Sequence, residues 1–399
     1  MINPSAHGWI DKFFTEQNAA SGSECLPLDE FYKNTRKTGF IYGHVVSFAT
    51  KVPINTNGWL PDEISKVALL NSLYGIFCTV TGDSNPKKFV VKAVSFYNAM
   101  HPHGLNFFKK VFAKGTASQT LEGMIDERVQ TNQDIVSKNF SHFVTNALLF
   151  IDVLAFQQYL THDTIPDKYL KTIEETILNV ISFALKTKTV KSHHDDLLIK
   201  LLEASVRYTK FSKASVKNPE MLKLDAFTSE LEKYYFIDLA GMTLWSDDKI
   251  DNEERYFLYK LGETMQVDDA FITQSMDEVC RFISIYHDQI AYFNNPNPVR
   301  NFYDHITQSV ITLIRRNKNR LLKEISQSKE LMVLLAHSTR RDLDEKEKKK
   351  VKNQLLDICK SIPAMTIFLL PGGGLLLPIL IKFIPKMMPS AFNENLEQE

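Results

Sequence analysis

The stretch Tyr235-Phe236-Ile237-Asp238-Leu239-Ala240-Gly241-Met242-Thr243-Leu244-Trp245-Ser246-Asp247-Asp248-Lys249-Ile250-Asp251-Asn252-Glu253-Glu254-Arg255 decides the fold class. It reads as an apolar helix, an acidic turn and the start of a new helix. Asp251 and Glu254 have the spacing of a capping box, in which the Asp accepts an orphan amide of the helix start and the Glu reaches back to the cap amide. Asp247 and Asp248 add negative charge near the positive end of the helix dipole. The surroundings continue the pattern. Residues 124–362 hold six Gly and Pro, namely Gly241, Gly262, Pro166, Pro219, Pro296 and Pro298, where average usage gives about 29. Gly and Pro are the main helix breakers, so the middle of the chain reads as helix after helix. A parallel-sheet enzyme needs Gly-bearing turns at regular intervals, and they are missing. The predicted class is all-α, a multi-helix antiparallel bundle or array with a Pro/Gly-broken apolar C-terminal helical segment.

Toward the N-terminus, Ile64, Val67, Ala68, Leu70, Leu73 and Tyr74 recur at helical spacing. A break at 81–86 precedes a second helix carrying Phe89, Val90, Ala93, Val94 and Phe96. The run at 42–50 is either a strand or a short buried helix. Further amphipathic segments cover 118–160, 166–187, 193–212, 224–246, 251–264, 268–294, 300–338 and 344–360. Pro166 suits a first helical turn, with Asp163 or Thr164 as its cap. The organisation expected is an N-terminal mostly helical domain over 1–125, a helical middle over 126–225, a helical module over 226–295, a basic-collared connector over 296–350, an apolar segment over 351–392 and an acidic tail over 393–399.

Charge and composition exclude several classes. With 47 basic and 47 acidic residues the formal net charge is zero, so the basic excess of a nucleic-acid binder is absent. A hydrophobic share of 44% and a charged share of 24% are ordinary for globular chains and argue against disorder. Cys25, Cys78, Cys280 and Cys359 lie far apart without a CxxC pair, which suits a reducing compartment. The first nine residues lack the basic and apolar regions of a secretory signal, so the bulk is expected in the cytoplasm. No GxSxG, P-loop or GxGxxG occurs, and the clusters His101-Pro102-His103 and His193-His194-Asp195 lack zincin spacing. A non-enzyme without a cofactor is predicted.

The acids of the 245–255 turn also have a functional reading, in which Asp247, Asp251 and Glu254 ligate a divalent metal. As an EF-hand loop from Asp247 the turn fails, with Lys249 at position 3, Asn252 where Gly is needed and Leu258 in place of the final Glu. Capping is the expected role and metal the alternative. The stretch resembles the TerB-like helical family, whose signature is an apolar helix ending in Asp-Gly-x-Ile and then a Glu-bearing helix. Asp247, Ile250 and Glu254 fall on the matching positions, and Asp248 replaces the Gly. That resemblance implies a helical module whose acids hold metal in some members.

The C-terminal part inverts the composition. Residues 361–381 carry no charge over 21 positions, and as a straight helix they would measure about 31 Å against a bilayer core of roughly 30 Å. Pro371-Gly372-Gly373-Gly374 interrupts the middle, which leaves a kinked span, a re-entrant hairpin or a buried helix–turn–helix. Membrane contact is favoured, through Ile362, Pro363, Phe368, Pro371, Gly372, Pro378, Phe383 and Pro385. Upstream, Lys348, Lys349, Lys350 and Lys352, with Lys346 and Lys360, form a collar suited to anionic lipid. The positive-inside bias puts the N-terminal body in the cytoplasm.

Leu343, Glu347, Leu355-Leu356-Asp357-Ile358-Cys359-Lys360-Ser361-Ile362-Pro363, Leu376-Leu377-Pro378 and the closing Pro-x-Met-x-Pro-Ser-x-Phe at 385–392 resemble the LETM-like family of leucine-zipper/EF-hand-containing transmembrane proteins. Members sit in the mitochondrial inner membrane, act in cation/proton exchange or its control, and bind ribosomes. The family's EF-hand and coiled coil have no counterpart here. Gly372-Gly373-Gly374 also replaces bulkier, sometimes acidic, family positions. A large helical body followed by this segment looks like bacterial LETM-related proteins described as biofilm-associated. The function expected is a membrane-associated interaction or assembly module tied to cation homeostasis or ribosome binding. The expected partners are membrane lipid and a protein such as the ribosome, with no direct nucleic-acid contact. The alternatives are an oligomeric cation/proton transporter component, or a soluble helical protein whose C-terminal hairpin is core.

Overall fold

Every long element among the described residues is an α-helix, and no strand occurs among them. The fold is all-α, as the scarcity of Gly and Pro predicts. The computed structural model describes residues 2–18, 25–100, 115–139, 146–188, 222, 224–245, 250–290, 311–341, 343–361, 381 and 384. The chain divides into two units, one formed by Met1–Thr56 with Asp62–Pro296 and the other by Asn57–Pro61 with Asn297–Glu399.

The first unit contains α1 (Trp9–Asn18), α2 (Leu28–Lys37), α3 (Pro61–Thr81), α4 (Pro86–Met100), α5 (Ala117–Asn139), α6 (Phe150–His162), α7 (Tyr169–Thr187), α8 (Glu230–Leu244), α9 (Asn252–Met265) and α10 (Asp269–Tyr286). Helix α8 packs on α7, α9 and α10, and Leu231, Tyr235, Phe236, Ile237 and Leu244 are all buried. A helix with apolar residues all round must be enclosed by others. Gly262 on α9 allows close packing on α10, since an added Cβ would meet the Ile272 side chain. Aromatic rings fill the space between helices: Phe150 lies 5.0 Å from Tyr235, and Phe227 lies 4.9 Å from Phe236, centroid to centroid.

Among the described residues, α3 is the helix long and apolar enough to cross a membrane, yet 61% of its most apolar stretch is buried inside the protein. Val67, Leu69, Leu70, Leu73 and Ile76 are all fully covered. Burial on that scale makes α3 a core helix of the first unit.

Several local expectations change. The run at 42–50 is neither strand nor helix. Phe40–Tyr42 forms a 3-10 turn between Gly39 and Gly43, both at positive φ, and irregular chain follows. An added Cβ at Gly39 would also sit 2.8 Å from the Phe282 ring. Pro166 is not in the first turn of α7, which begins three residues later after Lys168. Asp163 closes α6 in the left-handed conformation, which a short polar side chain tolerates, so it ends a helix instead of starting one. The segments 118–160 and 300–338 are each divided, the second at Asn317 and at 327–328, where Ser328 caps a new helix. The segment 193–212 lies outside the described residues.

The first unit buries ionised groups. Asp238, in the middle of α8, accepts from Arg36 Nε at 2.9 Å, from the Tyr32 hydroxyl at 2.5 Å and, on its other oxygen, from Ser275 at 2.5 Å. Arg36 and Asp238 are 2% and 1% exposed. Burial, followed by the neighbouring Asp238 charge, pushes the Tyr32 hydroxyl well above its ordinary range, so it stays a donor. Arg128 and Asp152 form a second buried pair, with the Tyr97 hydroxyl on the same carboxylate. Glu232 accepts from Tyr169 at 2.6 Å and Gln158 at 2.9 Å. Burial of charge at these places is tolerated because each carboxylate is paired or hydrogen-bonded.

The second unit contains α11 (Lys318–Ser326), α12 (Lys329–Arg340) and α13 (Glu345–Ser361), which pack on one another. Its core is aliphatic, including Leu60, Leu321, Ile325, Leu335, Val351 and Leu355.

Candidate functional site

The lysine collar lies on α13. Val351, Leu355 and Cys359, spaced four apart, are buried on one face of the helix. The helix starts on a capping box that repeats the arrangement at 251–254: Glu347 N–H donates to Asp344 Oδ1 at 2.8 Å, and Asp344 N–H donates to Glu347 Oε2 at 2.9 Å. Arg341 donates to both oxygens of Glu347, at 2.8 and 2.6 Å. These Arg341 contacts, then the backbone amide, pull the Glu347 carboxyl down to about 2.

Pairing across the helices sets their direction. Glu330, at the start of α12, accepts from Lys350 at 2.6 Å and Gln354 at 2.9 Å, while Arg341, after its end, reaches back to Glu347. The two helices therefore run antiparallel. Ser328 fixes the turn, capping Leu331 N–H and donating to Gln354.

These contacts divide the collar. Lys350 is held by Glu330, whose carboxylate raises its affinity for a proton. Lys348 pairs with Glu345 and Lys360 with Asp357. Lys346, Lys349 and Lys352 are exposed at three-residue spacing, and none has an ion-pair partner among the described residues. Of the four predicted surface lysines, Lys349 and Lys352 are thus free to meet a ligand, and Lys346 joins them. Their helix carries six lysines against three acids.

Burial pushes the Cys359 thiol up to about 12, so it is an inert core residue. Ile362, Pro363, Phe368, Pro371, Gly372, Pro378, Phe383 and Pro385, assigned to the membrane segment, lie outside the described residues. Two residues after most of that stretch are described. Ile384 is fully buried in the aliphatic core of the second unit, and Ile381 packs against that core.

At the acidic turn, Asp251 accepts Glu254 N–H at 2.9 Å and Glu254 accepts Asp251 N–H at 2.9 Å. Both carboxylates of the candidate metal set are spent on the cap of α9, and Glu254 is buried. Asp247, the third candidate, lies outside the described residues, as do both His clusters. Among the described residues no group of three or more His, Cys, Asp or Glu is placed to hold a metal.

Residues 343–399 match the family model described as LETM1-like, RBD. The match opens at Leu343, one residue before the Asp344 cap, and so takes in the whole of α13. Neither a curated relative nor a solved structure matches the chain. From Leu343 onward this chain is similar to that LETM1-like family, and α13, with its capping box and lysine row, is the start of the similar region.

Proposed function

We propose that the protein is a non-enzymatic, membrane-associated helical protein of LETM1-like type, whose second unit meets an anionic lipid surface. The match over 343–399 carries this assignment, because it joins the free lysines of α13 to the uncharged stretch that follows. Each free lysine near an anionic surface contributes about 1 kcal/mol. Cys359 before the uncharged stretch and Ile384 after it belong to one core. A single crossing of a bilayer core roughly 30 Å thick would put them on opposite sides. We therefore favour contact in which the chain leaves and rejoins the same side of the membrane.

The test is sedimentation of the full chain with vesicles of phosphatidylcholine alone and with added phosphatidylserine, alongside carbonate extraction of cell membranes. Binding that needs phosphatidylserine and weakens about a hundredfold in the triple variant Lys346→Ala/Lys349→Ala/Lys352→Ala is expected. Recovery wholly in the soluble fraction, with no vesicle binding, would sink the proposal. It would favour the second reading, a soluble protein in which the apolar stretch is core, for which Ile381 and Ile384 speak. A ribosome partner, a role in cation homeostasis, an oligomeric cation/proton transporter, the biofilm-associated type and the TerB-like character of 226–295 rest on sequence resemblance. Co-pelleting with ribosomes and ion flux in reconstituted vesicles test the first three of these.

A further inference from the structure

The positive charge of the second unit is not confined to α13. Residues 311–361 hold fourteen Lys and Arg against seven Asp and Glu, although the whole chain is balanced. They contain no Phe, Tyr or Trp. Five of the basic residues, Arg315, Arg316, Lys318, Arg320 and Lys323, fall within 311–326, where Glu324 is the single acid.

Packing leaves these five side chains outside. Residues 311–316 are helical and lead into α11 through Asn317, whose amide and side chain both donate to the Leu313 carbonyl, at 3.1 and 2.9 Å. Leu313, Ile314, Leu321 and Ile325 enter the aliphatic core. A helical stretch with one apolar stripe in a core carries its charged residues on the other side, and all five are exposed. Arg315, Lys318 and Lys323 have no ion-pair partner among the described residues.

Arg320 fixes where this patch lies. Its Nη2 donates to the Ser361 carbonyl at 2.7 Å. Ser361 ends α13 and begins the uncharged stretch over 361–381. The negative end of the helix dipole favours a cation there, and a guanidinium keeps further N–H donors in a fork that matches phosphate. The lysine row is remote from this point. Lys352, its nearest member, precedes Ser361 by nine residues, about 14 Å along the helix. That exceeds a Debye length of about 8 Å, so the row adds little attraction at the start of the uncharged stretch.

We propose, resting on the reading that the second unit meets a lipid surface, that Arg315, Lys318, Arg320 and Lys323 form a second, separate contact with anionic phospholipid headgroups. It lies at the start of the uncharged stretch. Charge complementarity selects a phosphate-bearing surface. With no ring over 311–361, a single-stranded nucleic acid finds no stacking platform in that stretch.

The test is sedimentation of the full chain with vesicles of phosphatidylcholine and phosphatidylserine at fixed salt. Arg315→Ala/Lys318→Ala/Lys323→Ala should weaken binding about a hundredfold. Its melting temperature should stay unchanged, because these side chains are exposed. If melting shifts, the triple Gln variant at the same positions carries the measurement. Lys12→Ala/Lys37→Ala/Lys87→Ala removes the same charge from exposed positions of the first unit and should change binding by no more than about twofold. An equal loss in that control overturns the proposal, since binding then follows net charge. Binding that weakens in Lys346→Ala/Lys349→Ala/Lys352→Ala but not in the patch triple overturns the second contact and leaves the lipid reading standing. Absence of vesicle binding by the wild type sinks both. Poly(U) bound more tightly than the vesicles, and lost in the patch triple, overturns the choice of lipid.

Discussion

The first unit encloses ion pairs among aromatic rings, whereas the second packs aliphatic side chains and keeps its ion pairs at the surface. Asp238 and Arg36 are both almost fully covered, but Lys350 and Glu330 are 61% and 52% exposed. Among the described residues every buried polar or charged side chain belongs to the first unit. The core of the second, from Leu313 through Leu335 to Leu355, contains no aromatic residue among them. The contrast is one of solvent. A covered carboxylate must find all its partners inside the protein, so it locks α2, α8 and α10 in one arrangement. Exposed pairs share their charges with water and leave the α13 surface open to other ligands.

The comparison is tested most severely at Asp238. Asp238→Ala strands the Arg36 guanidinium in the core and should cost about 3–5 kcal/mol. In denaturant unfolding followed by circular dichroism, only the transition of the first unit should move. A loss near zero would mean that the node does not hold that unit together. In the second unit the equivalent blow is to packing. Leu355 is 1% exposed, and Leu355→Ala should cost about 2–5 kcal/mol, read as a shift of that unit's own transition. If both substitutions move a single common transition, the two units unfold together and the contrast is only one of composition.

A smaller effect is expected at the cap of α9. Asp251→Ala removes the acceptor for Glu254 N–H and should lower stability by about 1 kcal/mol, measured by the same unfolding curve. Added calcium should leave the wild-type curve unchanged if capping is the role of these acids; a rise in stability would restore the metal reading. The smallest effect concerns pH. Glu347 has an ordinary value of 4.5 and is held at about 2 in the folded protein. Its ionised form is therefore favoured by folding, and that contribution is complete above about 4.5 and lost as pH falls toward 2. Melting temperature against pH should fall more steeply over this window in the wild type than in Glu347→Gln. Because the pair is solvent-exposed, salt should shrink the difference.

Legibility in the sequence followed the range of each interaction. The Asp251–Glu254 box spans three residues and was readable as a pattern; the structure contains both of its hydrogen bonds. The helix over 344–360 was readable from spacing and appears as Glu345–Ser361. Asp238 stood in an apolar run with no visible role, because its partner Arg36 lies 202 residues away. The lysine collar was legible as charge but not as free charge. Lys350 is claimed by Glu330, twenty residues earlier, through the antiparallel pairing of α12 and α13. Pro166 misled because proline at a first turn and proline in the loop before it look alike until the backbone of Asp163 and Lys168 is known.

What the sequence determined by itself is what depends on neighbours three or four residues apart: the all-α class, the Asp251–Glu254 cap and the LETM-like signature from Leu343 onward. Helix formation and capping are local events, so local spacing carries them. The tertiary structure decided the environment of each side chain. It buried α3 inside the first unit, enclosed Asp238 with its three donors, left Lys346, Lys349 and Lys352 without partners among the described residues, and brought Ile384 into the same core as Cys359. Burial and pairing are set by which distant segments meet, and no short stretch of sequence contains that information.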